Sequence, residues 1–206
     1  MDDSQQLTPL QLDLLRELGN IGAGNATSSL SMMLQDRKLE MVVPEVAVLS
    51  LPETTTLIGG PEALVAGIYI AVSGDMDGHM AFLMPVESAK ELVQAILGQQ
   101  EPIEFGEMEC SVLEEVGNIV ITSYLNALSA MTGLVIMPSV PGLAIDMAAA
   151  IWSSILAGAA IIDDYITVIK TDFASEGKRI AGHIMLIPGE AGFEQFFKIL
   201  LGTDRG

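Results

Sequence analysis

The stretch E-L-G-N-I-G-A-G-N, residues 17–25, and the stretch E-V-G-N-I-V-I-T-S, residues 115–123, share a Glu, a Gly and an Asn at the same spacing. Both lie in segments whose hydrophobic residues recur at helical spacing. The three glycines of the first stretch each cost a helix up to about 1 kcal/mol relative to alanine. We therefore expect two related helices, with a close approach at the glycines to the protein's own sheet or to a partner. A phosphate-binding glycine loop fits less well, because the second stretch lacks the later glycines.

The segments around these stretches predict a similar element order in each half of the chain. A capping box, Thr8-Pro9-Leu10-Gln11, begins the first helix, which is predicted to run to about Leu34. The second long helix is predicted from about Gly106 to Met131. Strands are predicted at 38–51, 62–74, 78–85, 134–140, 160–172 and 178–188, with short helices at 86–97 and 191–201. The strand sequences GHMAFLMP, from Gly78, and GHIMLIP, from Gly182, repeat as well.

This repetition predicts an α+β fold with an internal duplication. We expect one domain, residues 1–206, with a first half at 1–100 and a second half at 101–206. Strands joined by hairpins favour a mainly antiparallel sheet, shared by two halves around a pseudo-two-fold axis, with the two long helices on one face. The main difference expected between the halves is an inserted Ala- and Ser-rich helix at 144–157.

The charge of the chain limits its partners. Nine Lys and Arg stand against 27 Asp and Glu, which gives a net charge of −18. Nucleic acids and anionic membranes attract basic surfaces, so both are disfavoured as partners. The acidic surface fits a partner that presents basic residues, although solubility alone also explains it.

Three features favour a cytoplasmic protein. The single cysteine, Cys110, excludes an intramolecular disulfide, and we interpret it as a partly buried hydrophobic residue. The N-terminal segment MDDSQQL lacks the apolar region of a signal peptide. The longest uncharged run, residues 147–162, is shorter than the roughly 20 apolar residues of a membrane span, so it predicts a buried or partner-facing helix that runs into a strand.

The two histidines, His79 and His183, each follow a glycine at the same place in the repeated strand. The simplest interpretation is a structural residue that hydrogen-bonds near a turn. Since no further ligand lies at metal spacing in the sequence, we expect no metal site.

Polar residues form a row on each long helix. With the spacing i, i+4, i+7, the rows are Asp13, Glu17 and Asn20 on the first helix, and Ser111, Glu115 and Asn118 on the second. This spacing places the three side chains along one helix face. A single row is typical of a solvated face. Its repetition, and the presence of Asn in mid-helix where better helix formers are available, favour a functional role.

With a proline added, each row resembles the signature of the CheC/CheX/FliY phosphatases of bacterial and archaeal chemotaxis. That signature is Asp or Ser, three residues, Glu, two residues, Asn, twenty-two residues and Pro, and the second half meets it in full with Pro141. In the first half Pro44 follows one residue later, which a longer connection around residues 35–38 accounts for. The presence of both motifs is most similar to the CheC-type members, because CheX-type members carry one motif and FliY-type members add a flagellar-switch domain. The resemblance covers nearly the whole chain.

The resemblance implies a chemistry for the polar rows. Family members dephosphorylate the response regulator CheY, which supplies its own Mg²⁺ and Lys around an aspartyl phosphate. An amide suits the remaining task of orienting water, because it both donates and accepts hydrogen bonds and carries no charge. The roles implied are water orientation for Asn20 and Asn118, docking against the CheY lysine for Glu17 and Glu115, and an accessory place for Asp13, Ser111, Pro44 and Pro141. No cofactor is implied on this chain, since the Mg²⁺ is expected in CheY.

The resemblance also implies a second partner, the receptor deamidase CheD. CheC-type proteins contact CheD through a helix in the second half. The candidate here is the inserted helix, with Asp146 at its start and an apolar segment, Ala148–Trp152, after it. A plain core helix explains that apolar content equally well.

Three hypotheses follow from the sequence. The first is a two-site phosphatase of phosphorylated CheY. The second is a CheD-binding adaptor or a relative of the flagellar-switch protein FliM, whose middle domain shares the fold without the catalytic residues. The third is an unrelated α+β protein, which the repetition across several blocks disfavours. The intact Glu/Asn pairs favour the first hypothesis. We predict that the second site is the stronger, because its spacing to proline is regular, and that the duplicated chain is a monomer.

Overall fold

The computed structural model describes residues 8–33, 39–99, 101–158, 165–175, 178–189 and 192–201. The helices are α1 (Pro9–Met33), α2 (Leu51–Leu57), α3 (Val86–Leu97), α4 (Glu107–Thr132), α5 (Ala148–Gly158) and α6 (Gly192–Leu200). The strands are β1 (Glu40–Ser50), β2 (Leu64–Gly74), β3 (Gly78–Pro85), β4 (Ile136–Pro138), β5 (Gly142–Met147), β6 (Tyr165–Ser175) and β7 (Lys178–Pro188).

The strands of the described residues form one sheet in the order β1-β6-β7-β3-β2-β4, and β5 also pairs with β2. Every one of these pairings is antiparallel. The strand order is symmetric about the centre of the sheet when the two halves of the chain are exchanged. Counted inward from the two edges, β1 corresponds to β4 and β5, β6 to β2, and β7 to β3. Each half therefore contributes strands to both sides of the sheet centre. The predicted antiparallel sheet with pseudo-two-fold-related halves is confirmed, while the division of the domain at residue 100 stays a prediction.

Helices cover both faces of the sheet. On one face α1, α3, α4 and α6 enclose a large core that includes Leu15, Phe82 and Tyr124. On the other face a smaller core contains Ile151 and Trp152 of α5, against which α2 packs through partly buried leucines. The two long helices thus lie on one face, as predicted, and the molecule has three layers. No helix within the described residues is long and apolar enough to cross a membrane.

The predicted ends of several helices are confirmed by their hydrogen bonds. The backbone N–H of Thr8 donates to Gln11 Oε1 at 2.8 Å, and the N–H of Gln11 donates to Thr8 Oγ1 at 3.3 Å. These two bonds are the capping box that begins α1. At the other end, α3 stops at Gly98 and α4 stops at Gly133, where φ is 65° and 76°. Glycine adopts this left-handed conformation without steric cost.

Two segments differ from the prediction. Residues 51–57 form helix α2 rather than the end of a strand and a loop, and the helix predicted at 144–157 begins only at Ala148, because residues 142–147 form strand β5. Helix α5 is therefore the counterpart of α2, not an insertion. The N–H and the hydroxyl of Ser50 both donate to Glu53 Oε2, at 2.8 and 2.7 Å, and so fix the start of α2. Strand β6 continues to Ser175, beyond the predicted end at 172, and residues 159–164 lie outside the described part.

The glycines of α1 meet different surroundings. A Cβ added at Gly22 would lie 2.7 Å from the ring of Tyr124 in α4, and one added at Gly19 would lie 3.2 Å from Val43 in β1. At Gly24 nothing lies within 4 Å. The close approach expected from the sequence is thus made within the molecule, to the sheet at Gly19 and to the other long helix at Gly22.

The two histidines differ in their contacts. His79, the second residue of β3, stacks on Tyr69 with ring centroids 5.4 Å apart and hydrogen-bonds the Tyr69 hydroxyl through Nδ1. Burial lowers the pKa of His79. His183 lies in the middle of β7, not near a turn, and its buried Nδ1 has no hydrogen-bond partner among the described residues. Burial, followed by the charge of Lys170, lowers the pKa of His183 to about 4, and Asp172 opposes that shift. The predicted hydrogen-bonding role fits His79 and is wrong for His183.

Candidate active site

The two polar rows lie on the long helices with their predicted spacing. Side chains are exposed at Asp13, Glu17, Asn20, Ser111 and Glu115, and Asn118 is half-buried. The residues between them, such as Leu18 and Val116, are buried against the sheet. Each row therefore projects from its helix at the border between core and solvent.

Asp13 of the first row pairs with Arg16, but the Glu and Asn side chains of both rows have no side-chain partner in the described part of the chain. Among the described residues, the side-chain amides of Asn20 and Asn118 make no hydrogen bond, and the carboxylates of Glu17 and Glu115 make no ion pair. An exposed amide and an exposed carboxylate one helical turn apart are free to contact another molecule. Both long helices carry this pair at the same spacing, with Asn20 exposed and Asn118 half-buried.

A small depression lies between α1 and β1, beside the first row. It is lined by Arg16, Asn20, Val43, Glu45 and Val46. Arg16 contacts Asp13 at 3.4 Å, and both side chains are largely exposed. Glu45 forms an ion pair with Lys170 on the neighbouring strand β6.

Sequence reasoning missed Arg16 and Glu45 as neighbours of the first row. The spacing i, i+4 between Arg16 and Asn20 already placed them on one helix face, so Arg16 could have been found. Glu45 reaches the depression only through the path of β1, which carries no local signal.

Both motif prolines lie where an edge strand loses its register. In β1 the register shifts between Val42 and Glu45, so that two residues, 43–44, stand opposite a single residue of β6. On the other edge, residues 139–141 stand opposite residues 70–71 of β2. Each edge thus contains one extra residue, which is a β-bulge. Proline suits such a position because it has no N–H to offer a strand ladder. Of Pro44 only the backbone belongs to the described part.

The second row has a different environment. The hydroxyl of Thr122 donates to the backbone carbonyl of Asn118 at 2.6 Å. Glu114 occupies the place that Arg16 has in the first row, directly before the glutamate of the motif. The adjoining edge exposes hydrophobic side chains, among them Met137 and Val140.

The candidate partner contact at α5 is only partly accessible. Asp146 is exposed at the end of β5, and its Oδ1 accepts a hydrogen bond from the N–H of Met147 at 2.7 Å. Ala148, Ile151 and Trp152 are buried in the smaller core. The apolar side of α5 therefore covers the protein's own sheet and is not free for a partner.

Within the described residues, no group of three or more His, Cys, Asp or Glu side chains is arranged to hold a metal ion. Cys110 is half-buried on α4, close to the second row.

The comparisons with known proteins agree with this geometry. The sequence matches the CheC-like family at residues 10–48 and 108–145, the two segments that contain the rows and the prolines. The chain is 35% identical over 200 residues to the CheY-P phosphatase CheC of Bacillus subtilis, covering 94% of this chain and 95% of that protein.

Solved structures share the fold. FliY of Thermotoga maritima superimposes with a TM-score of 0.75 at 18% identity, over 96% of this chain and 99% of that one. A chain of the CheX–CheY–BeF3–Mg²⁺ complex of Borrelia burgdorferi gives a TM-score of 0.51 at 17% identity, over 82% of this chain and 96% of that one. Since the sequence match to the Bacillus protein extends over nearly the whole length of both chains, this protein belongs to the CheC-like family.

Proposed function

We propose that this chain is a phosphatase that hydrolyses the aspartyl phosphate of the response regulator CheY at two sites. The observation that carries the proposal is a Glu and an Asn at identical spacing on both long helices, accessible to solvent and without a side-chain partner among the described residues. The relative from Bacillus subtilis is a CheY-P phosphatase, and a structure of the same fold forms a complex with CheY. Both support CheY as the substrate.

In the proposed reaction Asn20 and Asn118 orient the attacking water. The water oxygen forms a bond to phosphorus, the bond between phosphorus and the aspartate oxygen breaks, and the proton leaves with the phosphate or to solvent. The amide accepts a hydrogen bond from the water without bringing a negative charge near the phosphoryl oxygens. A glutamine orients water in the same way in small GTPases. The rate gain comes from positioning, so the chain needs no covalent intermediate.

Glu17 and Glu115 dock the helices against CheY. A carboxylate one turn from the asparagine pairs with the lysine beside the aspartyl phosphate and fixes the register of the helix in the site. The net charge of −18 speeds association with a basic site. In this proposal Mg²⁺ is held by CheY, no cofactor is bound by this chain, and the protein acts as a cytoplasmic monomer.

The test is phosphate release from phosphorylated CheY by the wild type, Asn20→Ala, Asn118→Ala and the double variant. We expect the double variant to fall to the rate at which CheY loses its phosphate alone, because both water-orienting groups are gone. Asn25 and Asn126 provide a matched control, since they are exposed asparagines on the same two helices outside the rows. Asn25→Ala/Asn126→Ala should release phosphate at the wild-type rate. Phosphate release by Asn20→Ala/Asn118→Ala above the rate of CheY alone would contradict the proposal.

A second partner, CheD, is proposed on the exposed end of β5. Asp146 stands there beside the exposed Ala149, at the start of α5. We expect Asp146→Lys to reduce capture of CheD in a pull-down, because it reverses the charge of the proposed contact. Glu104→Lys, at an exposed carboxylate elsewhere, is the control. Equal capture by both variants and the wild type would remove Asp146 from the contact.

A further inference from the structure

The two rows differ most in one charged residue. Between residues 13 and 20 the chain carries Arg16 together with two carboxylates, whereas between residues 111 and 118 it carries two carboxylates, Glu114 and Glu115, and no cation. The sites that share Glu and Asn are therefore electrostatically different on the side from which a substrate phosphoryl group would approach.

Arg16 is a neighbour of Asn20 on the surface of α1. The two residues are four positions apart on α1, and both line the depression between α1 and β1. Arg16 contacts Asp13 through one nitrogen, Nη1, at 3.4 Å. A guanidinium has five N–H donors, so this single contact leaves others to face an incoming group.

The carboxylate among the residues that line the depression, Glu45, does not neutralise Arg16. Glu45 is held by Lys170 in an ion pair across β1 and β6. The depression thus presents one carboxylate that already has a cation and one guanidinium that is only partly engaged. Such a place attracts a doubly charged oxyanion more than the second row does.

We propose that Arg16, which lines the depression with Asn20, binds the phosphoryl oxygens of the aspartyl phosphate at the first site, and that Asp13, whose carboxylate contacts the guanidinium, is a positioning residue for Arg16. This inference rests on the proposed function. It also accounts for the first position of the motif in each half. Asp13 lies near an arginine with which it can pair, whereas Ser111 has Glu114, and no arginine, at the corresponding place. Planar guanidinium groups suit phosphoryl oxygens because they can donate two parallel hydrogen bonds.

The Arg16 contact should affect the binding of the substrate and not the rate of its turnover. A contact that the guanidinium makes equally with the bound substrate and with the transition state lowers KM and leaves kcat unchanged. The first site therefore holds phosphorylated CheY more tightly than its Glu/Asn pair alone would allow, and the second site depends on docking by Glu115.

The experiment isolates the first site by placing every variant in a Glu115→Arg/Asn118→Ala background. Arg16→Ala should raise KM for phosphorylated CheY about tenfold, the factor expected for loss of a solvent-exposed, charge-assisted hydrogen bond, with kcat changed less than about twofold. Arg16→Lys should recover part of the loss, since it keeps the charge but not the fork. Lys90→Ala is the control, because Lys90 forms a comparable i, i+3 ion pair with Glu87 on α3. An unchanged KM in Arg16→Ala, or a lower one caused by relief of repulsion with the CheY lysine, overturns the inference.

A binding measurement keeps the inference separable from the proposed function. In the same background, the preference for CheY loaded with beryllofluoride over unloaded CheY is measured by titration, without turnover. Arg16→Ala should reduce that preference about tenfold, while Lys90→Ala should not. Failure of the proposed function appears as phosphate release that does not depend on the asparagines. Failure of the inference appears as an unchanged preference for the loaded regulator.

Discussion

The two polar rows carry one signature in two environments. In the first, Asn20 is exposed beside a charged depression, and Arg16 with Asp13 supplies a held cation. In the second, Asn118 is half-buried, Thr122 is bonded to its backbone carbonyl, and the corresponding place holds Glu114. The difference teaches that a repeated motif fixes which groups are presented, whereas the surrounding edge strand and neighbouring side chains decide how firmly each group is held.

Equivalent residues elsewhere in the two halves also differ in their surroundings. Gly19 and Gly117 occupy equivalent positions between Glu and Asn, yet a Cβ on Gly117 would meet Ile68 at 2.5 Å, whereas one on Gly19 would meet Val43 at 3.2 Å. Likewise His79 has a hydrogen-bonded partner and His183 has a buried, unpartnered Nδ1 among the described residues. In both pairs the residue of the second half is the more tightly enclosed.

The largest difference between the halves should be in the pH dependence of stability. His183 has a folded pKa of about 4, below its ordinary value of 6.5. Between these two pH values the unfolded state therefore binds a proton at His183 and the folded state does not. The free energy of unfolding should therefore fall as the pH drops below 6.5, by about 2 kcal/mol at pH 5. Urea denaturation at pH 7.5 and pH 5 measures the fall, and His183→Gln should lose this part of it. His79→Gln should change the pH dependence less, and an equal effect of the two variants would contradict the comparison.

The next difference should be in packing under the motif glycines. We expect Gly117→Ala to lower the free energy of unfolding by about 1–2 kcal/mol, because overpacking against Ile68 outweighs the gain in helix propensity. Gly19→Ala should be close to neutral, since Val43 can move by the few tenths of an ångström required. Gly24→Ala, in open space, should be slightly stabilising. Chemical denaturation of the three variants at one pH orders them, and a Gly19 variant that is the least stable would break the contrast.

The smallest difference should be in turnover. A half-buried amide loses fewer rotamers when it orders a water than an exposed one does. With saturating phosphorylated CheY, Asn20→Ala, which leaves the second site, should therefore turn over about threefold faster than Asn118→Ala, which leaves the first. Steady-state kinetics on the two single variants decides the ranking. If Asn20→Ala is the slower of the two, the second site is not the stronger.

Much of the fold could be predicted from local patterns. The capping box at Thr8, the C-terminal glycines of α3 and α4 and the hairpin at residues 74–78 involve contacts between near neighbours, which the sequence shows directly. Helix α2 was predictable too, because Ser50-Leu51-Pro52-Glu53 is a capping pattern, but its run of threonines resembles a strand. Strand β5 was not, because its side chains are mostly exposed and its pairing with β2 lies far away in the sequence.

The sequence by itself determined the two helices, their shared spacing of Glu and Asn, and the acidic charge, because helical geometry converts spacing into a common face. Only the tertiary structure decided that two glycines of E-L-G-N-I-G-A-G-N face the molecule's own sheet and the other long helix. It also decided that Val43 and Glu45, which flank Pro44 at the bulge of β1, line the depression together with Asn20 of α1. These contacts join residues from distant parts of the chain, and their distances depend on how the layers pack, which no local pattern encodes.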